Sequence, residues 1–440
     1  MPADDSPFLV GTAISVYQNS GGANTNWSEF ESKRPGNKPT IKGGVTCGTG
    51  ADFWDLYEED IARAASLKLN SFRLSIEWNR IQPEQGKTDE AGIARYHQIL
   101  DCLHRHNLQP MVTLHHFVHP TWFERLGGFT KEANIPLFVT FAQTAFRQFG
   151  SKVKLWATFN EPGVMGFCGW IYGSFPPAKT TQFTAAGQHL CNMLRAHTAA
   201  YKAIKALPGG RDAQVGLVHN YMNYEPYTNT WAAKWYLQPV CNTMQYIWAT
   251  AVILKYLQTG KFLWQAPVGS KVEFDEGSKP GLDWIGMNYY GRVRLDWKFA
   301  TLCKPGETMG DMPFALYGPD MYQGLKELGS LGVPVYVTET GIPDRTGKKR
   351  EEFFKSYPPQ IAQAIKDGID VRGMFYWTLI DNFEWAEGYD IRFGLYEWNP
   401  DGTQKRAFRG DFDKAVESFS GLHKLMADAL QFSLPSSKRG

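Results

Sequence analysis

The sequence predicts an α/β protein, a closed (β/α)8 barrel with its active site at the C-terminal ends of the strands. Three observations predict it. Eight short apolar runs of strand length recur along the 440 residues. Segments with helical spacing separate them, the alternation that builds a parallel sheet with helices outside. Polar and aromatic residues collect just after the runs, where such barrels carry their chemistry. No Pro/Ser linker, low-complexity tract or internal repeat divides the chain, so residues 1–440 read as a single catalytic domain.

The elements follow in order. Phe8-Leu9-Val10-Gly11-Thr12-Ala13-Ile14-Ser15 is apolar or small throughout, as a strand buried on both faces is. Gln18-Asn19-Ser20-Gly21-Gly22 then reads as a polar, Gly-rich loop. A helix from Asp52 places Trp54, Tyr57, Ile61 and Ala64 on one face. Ser71 to Ile76 is the second strand, and a helix from Ala91 to Arg105 leads to the third, Gln109 to His115. Phe138, Phe141, Ala145 and Phe149 mark a helix that Gly150 stops. Leu155-Trp156-Ala157 opens the fourth strand, which ends before Pro162, a residue with no N–H to give a ladder. A helix from Ala185 to Ala206 precedes the fifth strand, Gln214 to Val218. Residues 221–280 form an aromatic, partly helical insertion whose boundaries the pattern does not fix. Leu282 to Asn288, Val333 to Thr338 and Gly373 to Trp377 are strands six to eight, and a last helix covers Asp411 to Leu430.

Composition narrows the function classes. At 43% hydrophobic and 14% aromatic the chain can bury a large core, and aromatic faces also suit the C–H faces of sugar rings. A formal charge of +2 is too balanced to call for nucleic acid or an anionic membrane as partner. Cys47, Cys102, Cys168, Cys191, Cys241 and Cys303 are scattered without a C-x-x-C pair, which argues for reduced thiols in the cytoplasm over a zinc site or a disulfide framework. Met1 to Pro7 is short and polar, without a signal-peptide pattern, and no apolar stretch is long enough to span a bilayer.

The strand ends carry Gln18, Arg73, His116, Asn160 with Glu161, Asn288 with Tyr290, Glu339, and Trp377 with Glu384 and Trp385. No lysine stands there to form a Schiff base. His115 and His116 are adjacent on a strand and point to opposite faces, which disfavours a metal. Two carboxylates on separate strands suit glycoside cleavage: one protonates the leaving oxygen, and the other attacks the anomeric carbon or activates water. Proximity raises the pKa of one of them, and Arg73 is the candidate to keep the other charged. The plainer alternatives are rim carboxylates in ion pairs, a wall histidine satisfied by protein, core tryptophans and a solvated Gln18.

Five stretches in the same order resemble glycoside hydrolase family 1, the retaining β-glucosidase and β-galactosidase barrels. Thr158-Phe159-Asn160-Glu161-Pro162 is similar to its acid/base motif and Val337-Thr338-Glu339-Thr340-Gly341 to its nucleophile motif. Trp377 to Tyr389, continuing into Arg392-Phe393-Gly394-Leu395, resembles its sugar-binding stretch, and Asp283 to Tyr290 and Phe72 to Trp78 also fit. The resemblance implies Glu161 as acid/base and Glu339 as nucleophile, with Arg73 and Tyr290 supporting the nucleophile. It implies Asn160 on the sugar 2-OH, Gln18, His116, Glu384 and Trp385 on other hydroxyls, Trp377 as the stacking floor and Phe393 at the side. Asn288 is read only as fixing the loop of Tyr290.

The activity so implied is a retaining, exo-acting β-glycosidase on small, non-phosphorylated glycosides, with no metal or cofactor. Its glycone and oligomeric state stay open. Thr340, Phe117 and Ser20 depart from the family's usual Asn, Trp and Glu and bear on the pocket wall. Family members acting on 6-phosphosugars carry Ser and Lys around the segment that here reads Trp385-Ala386-Glu387-Gly388-Tyr389-Asp390-Ile391. Two alternatives stand beside this reading: a transglycosylase using the same covalent intermediate, and a non-catalytic carbohydrate-binding barrel, against which the presence of both carboxylates speaks.

Overall fold

A computed structural model describes residues 7–399 and 406–433, so residues 1–6 of the polar opening lie outside the described residues. Eight parallel strands close into a barrel: β1 Leu9–Ala13, β2 Ser71–Ser75, β3 Gln109–Thr113, β4 Leu155–Asn160, β5 Gln214–Asn220, β6 Trp284–Asn288, β7 Val335–Thr340 and β8 Val371–Trp377. Each strand pairs with its neighbours in sequence, and β1 closes the ring on β8 through Leu9↔Gly373 to Ala13↔Trp377. The longer helices are α1 Phe53–Ser66, α2 Glu90–Arg105, α3 Ile135–Phe149, α4 Phe183–Lys205, α5 Trp231–Ile247, α6 Thr250–Thr259, α7 Gly318–Gly329, α8 Arg350–Lys366 and α9 Phe412–Ser433.

Period-two alternation divides the strand side chains between two cores. Leu9, Met111, Leu155, Ala157, Trp284, Tyr336 and Phe375 belong to a small cluster that includes the barrel interior. Phe72, Leu74, Val112, Trp156, Val215, Ile285, Val335 and Val337 join the larger layer under the helices. Arg73, between Phe72 and Leu74, is thereby aimed into the barrel, where only 1% of it is exposed.

The alternation breaks at two places. On β4 the register against β5 shifts between Ala157 and Asn160, and on β7 the register against β6 shifts between Val337 and Glu339. Strict alternation from Ala157 and Tyr336 would send Asn160 and Glu339 to the helix side. Instead Phe159 stacks on Phe138 of α3 at 4.4 Å, and Asn160 and Glu339 turn inward to Arg73. Bulges of this kind re-aim side chains beside active sites.

Several expected boundaries move. Gln18-Asn19-Ser20 is not loop but the end of a short helix, Val16–Ser20. Gly21 stops it at φ +58, where an added Cβ would meet the Gly48 carbonyl oxygen at 1.8 Å. β3 ends at Thr113 rather than His115, and β7 runs two residues further than expected, to Thr340. The unplaced insertion resolves into a strand Asn223–Pro226, α5, α6 and an antiparallel hairpin of Lys261–Trp264 with Val272–Asp275. The strand Asn223–Pro226 pairs in parallel with Arg292–Leu295, which follows β6, and makes a ribbon above the barrel mouth. Among the described residues no helix is long and apolar enough to cross a membrane.

Candidate active site

Glu161 stands one residue past β4, its φ of +47 in the left-handed region. The turn is held on both sides, because Asn160 N donates to His115 O at 2.8 Å and Glu161 N to Val218 O at 2.9 Å. Pro162 then starts a short helix, Pro162–Gly166. An added Cβ on Gly163 would meet the Trp248 carbonyl oxygen at 2.6 Å, so that helix seats directly on the end of α5. The carboxylate is buried. Its Oε1 accepts from Asn288 Nδ2 at 2.6 Å and from Asn220 Nδ2 at 3.1 Å. Trp248 Nε1 donates to Asn220 Oδ1 at 2.8 Å and Thr338 Oγ1 to Asn288 Oδ1 at 2.7 Å, which fixes both amides with nitrogen toward Glu161.

Glu339 has different company. Arg73 Nη1 donates to its Oε1 at 2.5 Å and Tyr290 OH to its Oε2 at 2.7 Å. Arg73 is itself fixed by Thr113 Oγ1 at 3.1 Å and by Asn160 Oδ1 at 2.7 Å. Beyond Glu339, an added Cβ at Gly341 would meet the Trp377 carbonyl oxygen at 2.3 Å, so β7 and β8 touch there as only glycine allows.

Burial is the main force on both carboxyls. Together with the nearby Glu339 charge it pushes Glu161 up to about 8, against the pull of the Asn288 and Asn220 amides. Burial lifts Glu339 above the ordinary carboxylate range too, with Arg73 and Tyr290 pulling it back. Arg73 and Tyr290, the two residues expected to hold Glu339 ionised, therefore oppose the rise without cancelling it. A third carboxyl, Glu384, is pushed up to about 8 by burial and then by Glu339 and Glu161.

The remaining candidates assemble around this pair. Asn160 Nδ2 donates to His116 Nε2 at 3.2 Å, which makes that nitrogen an acceptor and leaves the proton on Nδ1. His116 Nδ1 is buried and unpartnered, and so is Gln18 Oε1. Gln18 Nε2 donates to Phe383 O at 2.9 Å and faces Glu384 Oε2 at 3.4 Å, so Gln18 is a fixed, buried side chain rather than a solvated one. The His116 ring lies near-parallel to Trp377 at 5.9 Å and to Trp385 at 6.1 Å. Phe393 meets the edge of Tyr290 at 5.4 Å. His115 faces the other way, its Nε2 on His119 Nδ1 at 3.1 Å. Among the described residues no three His, Cys, Asp or Glu side chains are grouped to hold a metal ion.

Every candidate from the sequence thus reaches this one site. The sequence reading missed two residues. Asn288, taken only as a loop fixer, bonds Glu161 directly, and Asn220 at the end of β5 was not considered. The signal for Asn220 was its position past an apolar strand run, hidden because the run was cut at Val218.

A parallel barrel with two buried carboxyls at separate strand ends, one held by amides and the other by an arginine and a phenol, has the layout of a glycoside-cleaving enzyme. The chain belongs to glycosyl hydrolase family 1, whose model matches residues 4–414. Among similar proteins, 1,4-beta-D-glucan glucohydrolase of Thermotoga neapolitana is 30% identical, with 91% of this chain and 98% of that protein covered. A 6-phospho-beta-galactosidase of Lacticaseibacillus casei is 29% identical over 88% of this chain and 92% of its own. The structure of a beta-glycosidase from Pyrococcus horikoshii superposes with a TM-score of 0.80 at 30% identity, covering 98% of each chain. The protein is an O-glycosyl hydrolase, and the retaining, double-displacement course goes with the family.

Proposed function

We propose that Glu161 is the acid/base and Glu339 the nucleophile of an exo-acting β-glycosidase working on terminal, non-phosphorylated sugars, with the β-glucoside as the first substrate to test. The observation that carries the assignment is the contrast between the two carboxyls. Glu161 has a raised pKa of about 8 and two amide donors on Oε1, which leaves Oε2 to hold a proton at neutral pH. Glu339 has a guanidinium on one oxygen and a phenol on the other, groups that favour the anion.

In the first step a Glu339 oxygen attacks the anomeric carbon while Glu161 gives its proton to the leaving oxygen, and the aglycone departs as an alcohol. In the second, Glu161 takes a proton from water, the hydroxide attacks the same carbon, and the bond to Glu339 breaks with net retention. An amide nitrogen carries two hydrogens, so Asn160 keeps one for the sugar 2-OH after serving His116. His116 Nδ1–H and Gln18 Oε1 offer an open donor and acceptor to other hydroxyls, Glu384 and Trp385 flank them, and Trp377 is the stacking floor with Phe393 behind Tyr290. Against a 6-phosphosugar, segment 385–391 presents Glu387 and Asp390, both paired with Lys42 at 3.2 and 3.3 Å. The breadth of the family match supports one catalytic domain, and six unpaired cysteines support a cytoplasmic setting.

The test is Glu339→Gly. Hydrolysis of an aryl β-glucoside should fall to background, and added azide should restore turnover with an α-glycosyl azide as product. A β-azide, or no rescue, assigns the nucleophile to another residue.

A further inference from the structure

One side of the barrel mouth carries aromatic side chains out in solvent. On α5, Trp231 is 81% and Trp235 72% exposed, and they lie one turn apart with Tyr236 beside them at 47%. Across the ribbon, Trp297 is 69% and Phe299 49% exposed, and the Phe299 ring meets Tyr236 at 6.0 Å. The two segments are tied together by the paired strands Asn223–Pro226 and Arg292–Leu295 and by Tyr227 N donating to Leu295 O at 2.8 Å. Those strands begin just after Asn220 and Tyr290, and α5 leads to Trp248 on Asn220. The patch therefore stands on the face where the carboxyls open. Apolar surface gathered this densely marks a contact site on a folded protein.

The charge around it identifies the contact. Residues 228–247 and 297–306 contain no Asp or Glu, while Lys234 and Lys298 sit among the rings, Lys298 Nζ 4.8 Å from the Trp297 ring centre. Asp296, at the edge, accepts on Oδ1 from the backbone N–H groups of Lys298 and Ala300 and is the one acid beside the rings on that segment. A twofold contact with a second copy would set these lysines against one another with Asp296 as the one carboxylate at the edge of the patch, which disfavours self-association. A neutral sugar would use the indoles and leave the lysines idle. Indole and phenol rings with lysines between them match an anionic lipid interface, where rings settle at the headgroups and ammonium groups meet the charge.

We propose that this patch docks the protein on an anionic lipid surface, through Trp231, Trp235 and Trp297 with Lys234 and Lys298. The balanced charge of the whole chain argues against such a partner, but that average conceals a local cluster in which Lys234 and Lys298 outnumber the one edge acid, Asp296. If the glycosidase assignment above holds, on which this consequence rests, a β-glycoside with an alkyl or acyl aglycone in that surface presents its sugar to the pocket.

The test is flotation of the full chain with vesicles of phosphatidylcholine alone or with about one third phosphatidylglycerol. Wild type should float with the anionic vesicles and remain largely unbound with the neutral ones. Trp231→Ser, Trp235→Ser and Trp297→Ser combined should abolish flotation. Lys234→Gln and Lys298→Gln should each lower partition about fivefold, the factor for one juxtamembrane lysine. All these side chains are exposed, and circular dichroism checks that the variants fold; the lysine variants keep the question answerable should the triple variant not. Flotation reads no catalysis, so a failed glycosidase assignment leaves this result interpretable. Wild type unbound to both vesicle types overturns the proposal, as does a tryptophan variant that floats like wild type. Light scattering that shows an oligomer dissociated by the tryptophan substitutions assigns the patch to a second copy instead.

Discussion

At the residue scale, the chemistry rests on which carboxyl holds a proton. The proposed role requires Glu161 to be protonated, so kcat/KM should fall as pH rises through about 8. As the proposed nucleophile Glu339 must be ionised, so the acid limb should lie above the ordinary carboxylate range, because burial raises that group as well. Asn220 provides the cleanest probe, since its amide donates to Glu161 and is oriented by Trp248. Its hydrogen bond favours the ionised form, so Asn220→Ala should move the alkaline limb to higher pH. It should also lower kcat/KM about tenfold for glycosides with poor leaving groups. The check is the pH dependence of kcat/KM for wild type and variant. An unmoved alkaline limb would detach that limb from Glu161. Asn220 and Asn288 were hard to read because an asparagine past a strand looks alike whether it fixes a loop or holds an acid. Only the distances to Oε1 separate the two.

At the scale of elements, the eight strands were legible because each is an apolar run buried on both faces, a pattern that solvent-facing segments cannot imitate. Their ends were less so. Alternation along β4 and β7 assigns Asn160 and Glu339 to the helix side, yet the register shifts turn both inward. A bulge costs one ladder pairing and leaves no mark in hydropathy, so sequence pattern alone misplaces these side chains. The insertion 221–280 was opaque for another reason: its aromatics are divided between core, such as Trp248, and solvent, such as Trp231, and no single period fits. The contact between β7 and β8 just past Glu339 tests how closely the elements set the site. Gly341→Ala would drive a methyl into the Trp377 carbonyl oxygen, now 2.3 Å from where it would lie, and displace the end of β7 with Glu339. A shift near 1 Å costs about a hundredfold in rate, so kcat/KM should fall by about that factor. Gly421→Ala, on α9 with nothing within 4 Å of the added methyl, should leave kcat/KM unchanged and add about 0.5–1 kcal/mol of stability. Equal kinetics in the two variants would show that β8 does not position Glu339.

At the scale of the whole molecule, buried carboxyls with raised pKa values tie stability to pH. A carboxyl whose pKa is raised in the fold binds more protons folded than unfolded once pH exceeds the unfolded value. Stability therefore falls as pH climbs from that value, about 4.3, to the folded one. Glu161 and Glu384, both pushed to about 8, place this loss between about pH 4.3 and 8. Glu161→Gln removes one such group without disturbing its partners. The Gln carbonyl oxygen can accept from Asn288 and Asn220 as Oε1 does, while the amide nitrogen replaces the protonated oxygen. The variant should melt about 2–5 °C higher than wild type at pH 8, and the gap should close toward pH 5, where the folded carboxyl is already neutral. Its hydrolysis of poor leaving groups should be lost, so the stabilised protein is the inactive one. Thermal melts at the two pH values decide the matter: a gap that stays constant with pH would mean the gain comes from packing or hydrogen bonding, and the raised pKa of Glu161 would have to be abandoned.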